Sequence, residues 1–158
     1  MRGYRDFYDG KLAERIAKGL KEAGSPLTAA DLAKTQARVE PPLRVAYRGG
    51  VLLANQPPTQ GITTLEIMGI LDRFDLKKIP EGSADYYHVV VEAVKRAFID
   101  RNQYVADPEF VNMPSAKLLS KANLDQWAGS IKMDKAMPWP HVYKHGDTVY
   151  IGATDSQG

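Results

Sequence analysis

The end of the chain places the tightest constraint on its fold, because a predicted strand there has no partner after it. Val149, Ile151 and Ala153 alternate with other side chains, which predicts a short β-strand. The run DSQG at residues 155–158 is typical of a hairpin turn. Because the strand that such a turn would return is missing from the sequence, we expect these 158 residues to belong to a larger fold.

The composition is that of a globular protein and excludes several functions. Hydrophobic residues make up 44% of the chain and charged residues 25%, which suits a soluble protein with a core. The net charge of +2 is too small to predict nucleic-acid binding, and the longest apolar runs are too short for a membrane span. The chain has no cysteine, which excludes disulfides, thiolate catalysis and Cys-ligated zinc. We expect neither a metal nor a cofactor.

Periodicity and cap signals predict a helix-rich chain with one hairpin. The first expected helix has an apolar stripe at Leu12, Ile16 and Leu20 and ends at Gly24. A second helix is expected from about Ala29, with a capping box of Thr28 and Asp31. Pro41 and Pro42 are expected to end this helical stretch. A hairpin turning at Gly49 and Gly50, and a helix over residues 62–74, follow. The last are a long helix from Ser83 to about Tyr104, two short helices capped by Ser115 and Asn123, and an extended linker over residues 133–147.

Seven motifs in this order carry a resemblance to one known family. They are FYDG at residues 7–10, GSPLTAADL at 24–32, YRG at 47–49, QPPTQG at 56–61, YHVVVEAVKRAFIDR at 87–101, DPEFV at 107–111 and DTVYIGATDSQG at 147–158. With these motifs the chain resembles the gamma-glutamyltranspeptidase family of N-terminal-nucleophile (Ntn) hydrolases. Members of that family are precursors that cut themselves before a threonine into a large and a small subunit.

The resemblance implies a fold class, a division of the chain and a site. The fold would be α+β, a helix-rich fragment of an αββα Ntn-hydrolase sandwich with one hairpin and a terminal strand. Residues 1–147 would belong to the C-terminal part of the large subunit and residues 148–158 to the first strand of the small subunit. Thr148 would be the catalytic nucleophile, and the bond between Asp147 and Thr148 would be the one that is cut. The implied location of the full-length protein is periplasmic or extracellular.

The implied activity is transfer or hydrolysis of gamma-glutamyl amides, such as glutathione, through an acyl-threonine. Its partners would be the remainder of both subunits and the amide substrate. Many family members carry a second threonine and a histidine after the nucleophile, where this chain has Val149 and Tyr150. The alternatives are therefore an amide acylase of the same fold with a non-glutamyl substrate, or a non-catalytic, truncated interaction module. We expect the 158 residues alone to be inactive and to self-associate through the strand at residues 148–155.

Other polar residues share faces of the long predicted helix. His88 and Glu92 are four positions apart, which favours a buried His–Glu hydrogen bond over a metal site. We expect Lys95 and Arg96 to make surface or subunit ion pairs. Asp100 and Arg101, with Asp107, are expected to form a charged cluster at the end of the helix.

Four further residues are expected to have structural roles or none. His141 and His145 would face solvent beside the cut, with assistance of autocleavage as the alternative. Trp127 and Trp139 would fill core or subunit contacts.

Overall fold

The computed structural model describes residues 3–139 and divides the chain after Glu40 into two compact units. Both units contain helices, and the second adds a two-stranded antiparallel sheet. Over residues 3–139, the helix-rich α+β character and the predicted hairpin are therefore confirmed. The predicted strand after Thr148 lies outside the described residues.

The first unit consists of short helices joined by tight turns. A 3-10 turn at Gly3–Arg5 leads into helices α1 (Asp6–Asp9), α2 (Lys11–Glu22) and α3 (Ala29–Lys34). The Arg5 side chain pairs with Asp9 at 2.7 Å and donates to the carbonyl of Thr35 at 3.3 Å. One arginine therefore links the start of the unit to the end of α3.

The helix ends of the first unit follow their predicted signals. Gly24 has a positive φ of 78°, and the N–H of Ser25 donates to the carbonyl of Leu20, which closes α2 in a Schellman motif. Thr28 and Asp31 form the predicted capping box at the start of α3. The prediction that helical structure continues to the two prolines was wrong, because α3 ends at Lys34.

Among its described residues, the second unit contains the hairpin and four α-helices. Strands β1 (Leu43–Tyr47) and β2 (Gly50–Ala54) precede helix α4 (Gly61–Leu71) and a 3-10 turn at Leu76–Lys78. Helices α5 (Ala84–Tyr104), α6 (Ser115–Leu118) and α7 (Lys121–Gly129) follow. Within residues 3–139, none of the helices has both the length and the apolar character needed to cross a membrane.

The hairpin turns one residue earlier than predicted. Tyr47 pairs with Gly50, so that Arg48 and Gly49 form the two-residue loop, both with positive φ. Two such residues are typical of a type I′ turn, whose twist matches that of the strands. Asp72 accepts a hydrogen bond from the Arg48 N–H at 2.9 Å, which holds this turn against the end of α4.

Helix α4 forms the centre of the second unit. It packs against both strands of the hairpin, against α5 and against α7. Its apolar residues are distributed around most of its surface, which is typical of a helix buried among several neighbours. The buried core cluster consists of Val45, Leu65, Ile70, Leu71, Val89, Ala93, Leu124, Ala128 and Ile131.

The caps of the later helices were predicted with mixed success. Ser83 caps α5 as expected, because its hydroxyl accepts a hydrogen bond from the N–H of Tyr86. The cap of α7 is Ser120 and not Asn123, whose N–H is the donor to the Ser120 hydroxyl. Ser115 is the first residue of α6 and follows its cap, Pro114.

Gly61 allows the chain to turn closely from β2 into α4. A Cβ atom at this position would lie 2.7 Å from the Cβ of Ala54 and 3.2 Å from the carbonyl oxygen of Asn55. Neither atom can rotate away, so we expect Gly61→Ala to lower the free energy of unfolding by about 1–3 kcal/mol. Urea unfolding measures this change.

Gly129→Ala is the matched control for that experiment, because nothing lies within 4 Å of a Cβ at the end of α7. We expect it to leave stability unchanged or to raise it by up to about 1 kcal/mol. Equal effects of the two substitutions would contradict the close contact at Gly61.

Candidate functional site

The residues predicted to perform the chemistry, Asp147 and Thr148, lie outside the described residues, as do His141 and His145. The described part of the chain nearest to them in sequence is residues 130–139, named here the approach segment. Four side chains of α5 form hydrogen bonds to it. These contacts are the part of the candidate site that the structure defines.

Glu92 is the centre of these contacts. Only 1% of its side chain is exposed. Its Oε1 accepts a hydrogen bond from Lys95 Nζ at 2.7 Å, and its Oε2 accepts one from Arg96 Nη1 at 2.7 Å. The backbone N–H of Met137 donates to Oε2 at 3.1 Å. The carboxylate therefore has two cationic partners and one backbone partner.

These partners determine the protonation state of Glu92. Burial alone raises the pKa of this carboxyl, but the hydrogen bonds from Lys95, Arg96 and Met137 outweigh burial and lower the pKa to about 2. Glu92 is therefore ionised at neutral pH. Because the folded-state pKa is lowered, the stability it contributes is present above the ordinary value of 4.5 and is lost as pH falls toward 2.

Both backbone polar groups of Met137 bind to α5. Its N–H donates to Glu92, and its carbonyl accepts a hydrogen bond from Lys95 Nζ at 2.7 Å. We call this pair of contacts the Met137 clamp. Since Lys95 also pairs with Glu92, the two side chains and the Met137 backbone form a closed set of hydrogen bonds.

Two further residues of α5 hold the earlier part of the approach segment. Arg96 Nε donates to Ser130 Oγ at 2.7 Å, and its Nη2 donates to the Ser130 carbonyl at 2.9 Å. His88 Nε2 donates to the carbonyl of Lys132 at 2.8 Å. The approach segment is therefore bound to α5 at Ser130, Lys132 and Met137.

Two sequence predictions about this helix face were wrong. His88 and Glu92 do not bond to each other, because Glu92 turns to two cations and His88 to a backbone carbonyl. Lys95 and Arg96 make internal ion pairs and not surface ones, since their side chains are 17% and 4% exposed. Glu92 instead forms charge-assisted hydrogen bonds with two cations, which are among the stronger hydrogen bonds in proteins.

A second buried polar cluster connects α4, α5 and α7. Glu66 on α4 is 1% exposed and Asp100 on α5 is 6% exposed. Asp100 Oδ2 accepts hydrogen bonds from Trp127 Nε1 at 2.8 Å and Asn123 Nδ2 at 3.4 Å. Asn123 Nδ2 also lies 3.3 Å from Glu66 Oε1, to which it donates.

Glu66 is protonated in this cluster. Burial raises its pKa most, and the hydrogen bond with Asp100 and the negative charge of Asp100 raise it further. The hydrogen bond from Asn123 acts in the opposite direction, and the resulting pKa is about 9. At neutral pH, Glu66 is therefore a neutral acid that can donate its proton to a hydrogen bond with Asp100.

The predicted charged cluster at the end of α5 does not form. Asp100 points into the core toward Trp127, whereas the Arg101 guanidinium lies 4.2 Å from the centre of the Phe98 ring. Asp107 accepts a hydrogen bond from the N–H of Glu109. The partly buried Trp127 contributes to the core as expected.

A groove of about 340 Å³ lies beside the Met137 clamp. It is lined by Val91, Val94, Lys95, Phe98, Arg101, Asn102 and Trp139. Lys95 is already paired with Glu92, and Arg101 stacks on Phe98. The groove therefore presents a mainly apolar surface.

Three residues of these clusters have contacts that were not predicted from the sequence, and Asn123 was expected only as a helix cap. Glu66, Asn123 and Ser130 have partners on distant elements, which local patterns do not show. Only Glu66 carries a sequence signal, because it is the single charged residue of helix α4.

Comparisons with known proteins give one consistent result. The family model described as Gamma-glutamyltranspeptidase matches residues 1–158. The chain is 40% identical over 156 residues to the oxamate amidohydrolase proenzyme of Klebsiella pneumoniae, covering 99% of the chain and 29% of that protein. It is 35% identical over 164 residues to the glutathione hydrolase proenzyme of Escherichia coli, covering 99% of the chain and 28% of that protein.

Comparison with solved structures leads to the same family. The crystal structure of Helicobacter pylori gamma-glutamyltranspeptidase matches with a TM-score of 0.72 and 31% identity, over 86% of this chain and 39% of that one. The chain thus spans less than a third of the length of the two curated relatives.

The protonated state of Glu66 predicts an unusual pH dependence of stability. Above the ordinary pKa of 4.5 the unfolded chain releases this proton, whereas the folded chain keeps it up to about pH 9. The contribution of Glu66 is therefore fully present below pH 4.5 and falls as pH rises, by at most about 1.4 kcal/mol per pH unit. A Gln side chain at this position is neutral in both the folded and the unfolded chain, and its amide keeps a hydrogen-bond donor and an acceptor.

We therefore expect Glu66→Gln to match the original protein near pH 5 and to be more stable at pH 8, as measured by urea unfolding at both values. A difference in stability that does not change with pH would show that Glu66 is ionised in the folded chain.

Proposed function

The chain belongs to the gamma-glutamyltranspeptidase family, and we propose that it contains the maturation site of an autoprocessing amidohydrolase of that family. The observation that carries this proposal is the family match over all 158 residues, which includes the DT pair at residues 147 and 148. The names of two relatives, both proenzymes, support maturation by cleavage.

The proposed maturation is an intramolecular reaction at Thr148. Its hydroxyl oxygen attacks the carbonyl carbon of Asp147, the C–N bond breaks, and the Thr148 nitrogen takes up the hydroxyl proton. An ester then joins Asp147 to the Thr148 side chain. Water hydrolyses this ester, which leaves the Asp147 carboxylate and restores the hydroxyl. Thr148 thereby gains a free α-amine.

The proposed catalytic reaction uses the same hydroxyl with the new amine as its base. The amine accepts the hydroxyl proton as the oxygen attacks the substrate amide, and the leaving amine takes up a proton. The acyl group is then carried on Thr148 and passes to water or to an acceptor amine. The mechanism needs no metal or cofactor.

In this proposal residues 1–147 belong to the large subunit and residues 148–158 begin the small one. The complete fold would be the αββα sandwich of Ntn-hydrolases, with the remainder of both subunits as partners. We place the full-length protein in the periplasm or outside the cell, following its family. The 158 residues alone would be inactive, because the rest of the substrate site would be missing.

The proposed substrate is a gamma-glutamyl amide of the glutathione type. A non-glutamyl amide is the second candidate, since the relative with 40% identity is named for oxamate and residues 149 and 150 depart from the family pattern. We expect the processed natural protein to release glutamate from glutathione faster than ammonia from oxamate, as measured by chromatography and an ammonia assay. Faster turnover of oxamate would favour the second candidate.

The proposed autocleavage at Thr148 can be tested on the protein expressed from its complete natural reading frame, by the number and masses of its chains. We expect intact mass spectrometry to find two chains, the smaller beginning at Thr148. Thr148→Ala should leave one uncut chain, because it removes the attacking hydroxyl, whereas Thr148→Ser should still be cut.

Thr154→Ala is the control, since it removes a nearby threonine hydroxyl without touching the proposed bond. It should be cut like the original protein. An uncut original protein, or one cut at another bond, would refute the proposed maturation.

A further inference from the structure

Three helices of the second unit meet at one pair of buried carboxyl groups. Glu66 of α4 is 1% exposed and Asp100 of α5 is 6% exposed. On α7, the Asn123 side-chain nitrogen lies 3.3 Å from Glu66 Oε1 and 3.4 Å from Asp100 Oδ2, so one amide contacts both acids. Trp127, one turn later on α7, donates to the same oxygen of Asp100 at 2.8 Å. Helix α7 is therefore attached here by two donors directed at two acids.

Two acids in this arrangement need a proton between them. Neighbouring buried carboxylates repel each other, whereas a proton on one of them replaces the repulsion with a hydrogen bond. Glu66 carries that proton and Asp100 accepts it. We propose that this proton holds α7 against α4 and α5, and that α7 opens from them by releasing it, so that α7 is a pH-sensitive element of the fold.

Within residues 3–139, no cation neutralises this pair. Asp100 is the charged group that acts on Glu66, and the α7 side chain that faces it, Asn123, is neutral. Strand β2 has no charged residue, and Arg44 of β1 is exposed. The other charged side chains of α5 and α7 are exposed or paired: Asp85 is exposed, Glu92 pairs with Lys95 and Arg96, Arg101 binds Asn102, and Lys121 pairs with Asp125. Without the proton, two buried negative charges would have no cationic partner, which is costly.

Helix α7 is the element that can move away to hydrate the two acids. Helix α4 packs against both strands and α5, so its displacement would disrupt the core. Helix α7 has nine residues, of which Leu124 and Ala128 are buried. It leads directly into the approach segment at Ser130, which Arg96 of α5 binds. Opening of α7 would therefore also reach the first contact of the approach segment with α5.

The proposal determines the direction of the pH dependence. In the open form Glu66 contacts water and has its ordinary pKa of 4.5, whereas in the closed form its pKa is about 9. The closed form is therefore fully favoured below pH 4.5 and loses this advantage as pH rises to about 9. Over that range, each pH unit increases opening by at most about tenfold, because one proton is released.

Hydrogen exchange tests this on the protein expressed from its complete natural reading frame. Mass spectrometry of peptides follows the amides of α7 and of α5 at pH 6 and pH 8, in the original protein and in Glu66→Gln, which has no proton to release. The effect of pH on the exchange chemistry itself is the same in both proteins, so the ratio of their rates isolates Glu66. Glu81→Gln is the matched control, because it makes the same charge change at an exposed position.

We expect the α7 exchange rate of the original protein, relative to that of Glu66→Gln, to rise about tenfold to 100-fold from pH 6 to pH 8. Relative to Glu81→Gln, it should not change with pH. At pH 8 the α7 amides of the original protein should exchange about tenfold or more faster than those of α5, because local opening exposes α7 while α5 stays folded.

Two results would overturn the inference. A ratio to Glu66→Gln that is the same at both pH values would show that α7 opens without releasing the Glu66 proton. Equal protection of α7 and α5 would show that α7 opens only when the whole unit unfolds. The original protein also provides a measurement that needs no variant: after correction for intrinsic exchange, α7 protection that is unchanged between pH 6 and pH 8 would contradict the proposal. None of these results depends on the proposed autocleavage.

Discussion

The buried Glu92 carboxylate needs hydrogen-bond partners, and these come from helix α5 and from the approach segment. A charge that is 1% exposed is costly unless other groups replace its lost hydration. Helix α5 supplies Lys95 and Arg96 on the same face, and the third partner must come from elsewhere in the chain. That partner is the N–H of Met137, so residues 130–137 have to return along α5. The helix and the approach segment therefore depend on each other.

Helix α5 also shows how the surroundings of a carboxyl decide its charge. Glu92 meets two cations, which keep its pKa near 2. Burial, together with the carboxyl of Asp100 on α5, raises the pKa of Glu66 to about 9. Both acids are almost completely buried. Burial raises the pKa of both carboxyls; the cations outweigh it at Glu92, whereas Asp100 adds to it at Glu66.

Local features of this fold could be predicted from the sequence, and distant pairings could not. The caps at Thr28 and Ser83 depend on residues three positions away, and both were predicted correctly. Glu92 bonds to Met137, 45 positions away, and Arg96 to Ser130, 34 positions away. The spacing of residue types along the sequence does not indicate contacts between residues that are so far apart. The expected His88–Glu92 bond was wrong because the spacing permits a contact but does not show which stronger partner competes for it.

The candidate site likewise has a part that could be predicted from the sequence and a part that could not. The assignment of Thr148 as nucleophile rests on family motifs and stays a prediction. The contacts of the approach segment became visible only in the structure, because they join parts of the chain that are distant in sequence.

The proton held by Glu66 also changes what folding does to the surrounding solution. Between about pH 4.5 and pH 9 the chain takes up a proton at this side chain when it folds and returns it when it unfolds. The buffer must supply that proton and absorb it again. The heat measured in a calorimeter therefore includes the ionisation enthalpy of the buffer, so unfolding in phosphate and in Tris gives different apparent enthalpies for the same transition.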